Sequence, residues 1–130
     1  MAKVSVAEVM TRRVIYLPES TMLDEAAQAM RDQGIGDVVV TRGATMVGVV
    51  TDRDIVVRAI AENLAPTSTS LGDITSHELI MVEQSATVEE AVQAMRERGV
   101  RRLLVCDADR KVVGILSLSD VALLPTSAPA

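Results

Sequence analysis

Apolar positions along this chain change their period three times in each half. Each half opens with a short apolar run, Val14-Ile15-Tyr16-Leu17 or Leu79-Ile80-Met81-Val82. Brevity and β-branched content predict strands there. The spacing then becomes i, i+3, i+4, i+7, at Leu23, Ala26, Ala27 and Met30, and again at Val88, Ala91, Val92 and Met95. That is the stripe of an amphipathic helix. Thr87-x-x-Glu90 has the form of a capping box and Thr21-x-x-Asp24 that of a weaker one, which predicts where the helices start. Gly34 and Gly99 follow the last apolar residues, as a left-handed cap residue would. Two strands come next in each half, Val38–Val40 with Met46–Val50, and Leu103–Val105 with Val112–Leu116. The connections Arg42–Thr45 and Asp107–Lys111 are short enough for hairpins. A second helix begins near Asp54, with Ile55, Val56, Ala59 and Ile60 on one face. Its counterpart begins near Asp120 and is cut short at Pro125.

The predicted order is β-α-β-β-α, twice, and the duplication is also literal. QAMRDQG closes the first helix and QAMRERG the third, placing Met30 and Met95 at an offset of 65 residues. Ile15/Ile80, Ser20/Ser85, Glu25/Glu90 and Gly34/Gly99 share that offset. One added residue shifts the match to 66, at Gly48/Gly114 and Asp54/Asp120. A repeat fixes the unit of folding and implies that any site occurs twice. The expected organisation is a repeat over 6–60, a linker over 61–70 within the Pro- and Thr-containing stretch Ala61–Asp73, a repeat over 71–124, and a flexible tail at 125–130. A unit of about 55 residues is marginal alone, so the two are expected to share one core.

Composition narrows the function. One Tyr and no Phe or Trp leave Val, Ile, Leu, Met and Ala to build the interior. A net charge of −5 without a basic stripe, and no stacking platform, argue against nucleic acid. The longest apolar runs hold about five residues, against the ~20 that span a bilayer. No signal-peptide core is visible near Met1, and a cytoplasmic protein is expected. His77 and Cys106 are each the single residue of their kind, which leaves no ligand set for a structural metal. Cys106 reads as a small buried side chain. With no nucleophile–base pair, and lysines only at positions 3 and 111, no enzyme is expected.

The remaining chemistry lies where a strand runs into the second helix of each half. Gly48-Val49-Val50-Thr51-Asp52-Arg53-Asp54 and Gly114-Ile115-Leu116-Ser117-Leu118-Ser119-Asp120 share the form G-h-h-[TS]-x-x-D. A hydroxyl at N-cap with a carboxylate at N3 is an ordinary cap. The same pair could hold a nucleotide: the helix start and hydroxyl favour phosphate, and an acceptor-only carboxylate suits a ribose diol. The preceding glycine would let a ligand approach the backbone closely.

The span from about Val6 to Leu124 resembles a tandem pair of CBS domains, a Bateman module of the short stand-alone bacterial type. MVGVVTDRDI (Met46–Ile55), VVGILSLSD (Val112–Asp120), GVRRLLV (Gly99–Val105) and the two AxQAMR helices carry the resemblance. It implies an α/β (α+β) fold of two repeats related by a pseudo-twofold. It also implies adenosyl ligands, AMP, ADP, ATP or S-adenosylmethionine, in the cleft between repeats. By the same resemblance Asp54 and Asp120 would take ribose hydroxyls. Thr51, Ser117 and Ser119 would meet phosphate or ribose, and the backbone at Ile15-Tyr16 and Ile80-Met81 would face adenine. Arg101 and Arg102 match a phosphate-reaching position. The first copy has Gly36-Asp37 there, so either Arg53 substitutes or Arg101 and Arg102 reach across the pseudo-twofold, and the two sites are expected to be unequal. Without aromatic stacking, micromolar affinity is expected, roughly −8 kcal/mol. A homodimer, joined through the second helix and signalling to a separate protein, is the expected assembly. A ligand-free scaffold or interaction protein is the alternative.

Overall fold

The computed structural model describes residues 3–77 and 79–122. Pro125, the tail at 125–130 and the expected repeat end at Leu124 lie outside the described residues. Chain order is α1 (Val6–Val9), β1 (Tyr16–Pro18), α2 (Leu23–Gln33), β2 (Asp37–Arg42), β3 (Thr45–Thr51) and α3 (Asp52–Ile55), which continues as a π-helical turn over Val56–Ile60. It goes on through α4 (Leu71–Ile74), β4 (Met81–Glu83), α5 (Val88–Arg98), β5 (Arg102–Cys106), β6 (Val112–Ser117) and α6 (Leu118–Ala122).

The predicted strands form two three-stranded sheets, β1-β2-β3 and β4-β5-β6. In each, the first pair is parallel, with α2 or α5 as the crossover, and the second is an antiparallel hairpin. Both hairpins shift register at one place, between Val40 and Thr41 and between Val105 and Cys106. Gly34 and Gly99 end α2 and α5 in the left-handed region, at φ 65° and 66°. Thr87 caps α5 as expected, its hydroxyl accepting from the Glu90 N–H at 3.1 Å.

Two short helices, α1 and α4, were not expected, and they set the architecture. Each is a single turn with a capping-box pair, Ser5 with Glu8 and Ser70 with Asp73. The chain divides into two compact units, one over Ile15–Leu79 and one joining the segment up to Val14 to the residues from Ile80 onward. So α1, which leads the first sequence copy, folds with the second. Val6 and Met10 pack with Ala91, Met95 and Leu103. Leu71 and Ile74 of α4 pack with Leu23, Ala26 and Met30. Each unit has its own cluster of buried apolar residues. A leucine buried as Leu71 is contributes about 1.5–3 kcal/mol, so the leading turn supplies apolar area that a unit of this size lacks.

Backbone hydrogen bonds repeat this docking. Val6 N–H donates to Ala86 O at 2.8 Å and Val88 N–H to Val4 O at 3.0 Å. Leu71 N–H donates to Thr21 O and Leu23 N–H to Thr69 O, both at 2.9 Å. The last bond explains a correction. Thr21 does not cap α2; Met22 is the N-cap and offers no side-chain bond. Thr69 O and Pro66 O accept from the first free amides of α2 instead.

The predicted faces of two helices differ in part from those observed. Ala27 is exposed, while Leu23, Ala26 and Met30 are buried. Val56 and Ile60 are 58% and 50% exposed, whereas Ile55 and Ala59 reach the core. The π turn widens the helix at this point, and Ala61 N–H reaches back to Val56 O at 2.9 Å.

Candidate functional site

Each unit presents one strand-to-helix junction built alike. In one unit β3 runs directly into α3. Thr51 N–H donates to Asp54 Oδ2 and Asp54 N–H donates to Thr51 Oγ1, both at 2.9 Å. In the other, Ser117 N–H donates to Asp120 Oδ2 at 3.0 Å and Asp120 N–H to Ser117 Oγ at 3.2 Å. Thr51 and Ser117 are buried, and Asp54 and Asp120 are half-buried. The motif is therefore a cap in both units. A carboxylate offers about four lone-pair directions, and the cap uses one, so it does not exhaust the acceptor.

The two junctions differ in what surrounds them. Ser119 is exposed, and its hydroxyl lies 2.8 Å from that of Ser117. The matching place in the other unit holds Arg53, also exposed, whose N–H donates to Asp52 Oδ1 at 2.7 Å. Arg101 and Arg102 are brought to their junction: Arg101 O accepts from Leu118 N–H at 3.0 Å, and Arg102 pairs with Ser117. Gly36 and Asp37 hold the same backbone places beside Asp52 and Thr51. The cationic pair thus belongs to one junction alone.

The proposed adenine-facing residues start the first strands. Ile15 O accepts from Val39 N–H at 2.8 Å and Ile80 O from Leu104 N–H at 2.9 Å. Both side chains are half-buried against their own cores. Tyr16 is 46% exposed, and Met81 is half-buried with its sulfur 4.0 Å from Arg110 Nη2.

The junction glycines are filled differently from expectation. A Cβ on Gly48 would collide with Thr75 Cγ2 and Ser76 O. On Gly114 it would stand 2.7 Å from Met10 Sδ and 2.8 Å from Thr11 O. The close neighbour is the protein's own chain, not a ligand: each segment behind a leading helix pairs antiparallel with the last strand, Ser76 with Val49 and Thr11 with Ile115. That pairing brings in residues that sequence reasoning missed. Thr11 Oγ1 lies 3.3 Å from Asp120 Oδ1, and Arg58 Nη1 donates to Ile74 O at 3.1 Å. The available signal was the likeness of SVAEVMT to SLGDITS at the repeat offset. Among the described residues no group of three or more His, Cys, Asp or Glu could hold a metal, and no helix is long and apolar enough to cross a membrane.

Comparison with known proteins agrees with this architecture. The CBS domain family matches residues 6–60 and again 71–125. Protein MK0525 of Methanopyrus kandleri is 36% identical over 122 residues, 93% of this chain, which spans 62% of that protein's length. Hypoxic response protein 1 of Mycobacterium tuberculosis is 31% identical over 116 residues, covering 88% of this chain and 80% of that protein. Among solved structures, CBS domain protein PAE2072 from Pyrobaculum aerophilum, complexed with AMP, superposes with a TM-score of 0.77 at 27% identity, over 93% of this chain and 92% of the other.

Proposed function

Since the chain belongs to the CBS-domain family, with two such domains in tandem, we propose that it is a non-catalytic regulatory module that binds adenosine-containing ligands at its two junctions. The ligand class is AMP, ADP, ATP or S-adenosylmethionine. One observation carries this reading. Both junctions keep a buried hydroxyl and a half-buried carboxylate one turn apart, and each carboxylate retains acceptor capacity beyond its cap. Asp54 and Asp120 take the ribose diol; Thr51 and Ser117 meet ribose or phosphate. Arg101 and Arg102, with Ser119, favour phosphate at the second junction, and Arg53 is the substitute candidate at the first. Ile15, Tyr16, Ile80 and Met81 flank the base. The AMP complex of PAE2072 supports the ligand class.

The module works as a homodimer in this reading. Val56, Val57, Ile60 and Leu64 are 40–58% exposed, an apolar ridge that isolated surface residues do not explain. Beside it runs a groove of about 590 Å³ floored by Ala27, Met30, Ile35 and Ile55. Ridge and groove adjoin at Val56, which suits twofold self-association.

Calorimetry with the four ligands on wild type, Asp54→Asn and Asp120→Asn tests the sites. Asparagine keeps an oxygen for the cap and removes the charge. Each substitution should abolish one binding event. Wild-type behaviour in both variants would refute the assignment. A second reading, a ligand-free interaction dimer, is favoured by the closure of Gly48 and Gly114 by the chain's own segments. An intact dimer that binds none of the four ligands would establish it.

A further inference from the structure

Two further side chains approach the gripping carboxylates, and they come from different places in the sequence repeat. The Thr11 hydroxyl lies 3.3 and 3.4 Å from the two oxygens of Asp120. Arg58 Nε lies 3.8 Å from Asp54 Oδ1, while its Nη1 donates to Ile74 O at 3.1 Å. Ile74 is the last residue of α4, and Thr11 directly follows Met10, the C-cap of α1. Asp120 is thus tied to the segment behind a leading helix directly, and Asp54 through a guanidinium. The ties are not copies of one another. By the repeat offsets, Thr11 matches Ser76, and Arg58 matches Leu124.

We infer that Thr11 and Arg58 are the positioning residues of the two grips, each fixing a carboxylate to the segment that leads the other sequence copy. The inference rests on the adenosyl-binding reading of the junctions. The cap holds one oxygen of each carboxylate, and the tie limits rotation about that bond. The remaining lone pairs are then set in place before a diol arrives, which removes part of the ordering cost of binding. The ties differ in charge, and this gives each a distinct signature. Thr11 is neutral and leaves the charge of its grip unchanged. Arg58 supplies a cation where the first copy lacks the Arg101-Arg102 pair. Losing it should therefore penalise a phosphate-bearing ligand more than a neutral nucleoside.

The test is calorimetric titration of AMP and of adenosine into wild type, Thr11→Val, Arg58→Leu and Arg58→Lys. Arg58→Leu should weaken the Asp54-dependent event about tenfold for AMP and about threefold for adenosine, leaving the Asp120-dependent event unchanged. Thr11→Val should weaken the Asp120-dependent event about threefold for both ligands. Arg58→Lys should recover most of the AMP affinity. Unchanged affinities, equal weakening of both events, or an Arg58→Leu penalty alike for AMP and adenosine would overturn the assignment. Amide hydrogen exchange at Thr51, Asp54, Ser117 and Asp120 separates the two failures. Faster exchange in the variants, with no ligand bound by wild type, refutes the adenosyl reading and keeps the ties. Unchanged exchange refutes the ties themselves.

Discussion

Gly114→Ala is the most incisive perturbation of this fold, because a single methyl group tests the docking of the leading segment. The new Cβ would stand 2.8 Å from Thr11 O and 2.7 Å from Met10 Sδ, where ordinary contact begins near 3.4 Å. The methionine sulfur can swing away; the Thr11 carbonyl is backbone and moves only with its segment. That segment is held by Thr11 N–H to Ile115 O at 2.8 Å and Ile115 N–H to Thr11 O at 2.9 Å. Withdrawing it by about half an ångström lengthens both bonds past their usual range. Each is worth about 1 kcal/mol net, and forced overpacking costs about 1–3 kcal/mol. With the lengthened bonds each losing about half their worth, the combined loss is about 2–4 kcal/mol. With an m-value of about 2 kcal/mol/M, the urea midpoint falls by about 1–2 M. Circular dichroism in urea measures it, with Gly43→Ala as the control. Gly43 sits at φ +61° in open space and carries only the left-handed backbone cost of about 1–2 kcal/mol. A Gly114→Ala protein as stable as wild type, or with an unaltered exchange rate at the Thr11 amide, would refute the reasoning.

Other expectations follow from the same contacts. Thr87→Ala should destabilise by about 1 kcal/mol through loss of the α5 cap, whereas Thr21→Ala should stay within about 0.5 kcal/mol, measured by the same urea titration. Acid sensitivity should come from Glu19, held low by its hydrogen bond to Arg42, and from Glu8 and Glu90. Backbone amides of Ser5 and Thr87, reinforced by their hydroxyls, hold the carboxyls of Glu8 and Glu90 below the ordinary glutamate value. Their stabilisation is therefore complete above about pH 4.3 and is lost as pH falls through the lower folded-state values. Glu90→Gln should flatten that part of the stability–pH curve, and an unchanged curve would exclude Glu90 as a contributor. Val56→Asp with Ile60→Asp should convert the proposed dimer to monomer in sedimentation analysis while leaving the thermal midpoint of the monomer intact. Dimers persisting in that variant would place the interface elsewhere.

Much of the fold was legible because its signals are local. Leu23, Ala26 and Met30 face one way in any α-helix, and the left-handed residues Gly34 and Gly99 end their helices whatever packs outside. The Thr51–Asp54 and Ser117–Asp120 pairs could be placed at helix starts for the same reason. Ala27 is exposed, and Val56 and Ile60 turn away from the buried Ile55 and Ala59, because hydrophobicity marks a residue that can be buried, not one that is. Gly48 and Gly114 correctly announced a close approach, but the letter G does not say what approaches. Thr11 and Arg58 carried no motif, and they reach the carboxylates only through contacts between segments distant in sequence.

Taken alone, the chain determined its duplication, its strand and helix periods and its caps, since each depends on residues within a turn or a hairpin of one another. It did not determine which copy each leading turn would join. Ser5-x-x-Glu8 and Ser70-x-x-Asp73 carry the same cap, and Val6 and Leu71 offer the same apolar anchor. Nothing local distinguishes a turn that folds back on its own copy from one that crosses to the other. Closure of the backbone over Gly48 and Gly114, and the orphan amides at Leu23 and Val88, settled that in three dimensions. The same closure decided which side chains stand beside Asp54 and Asp120.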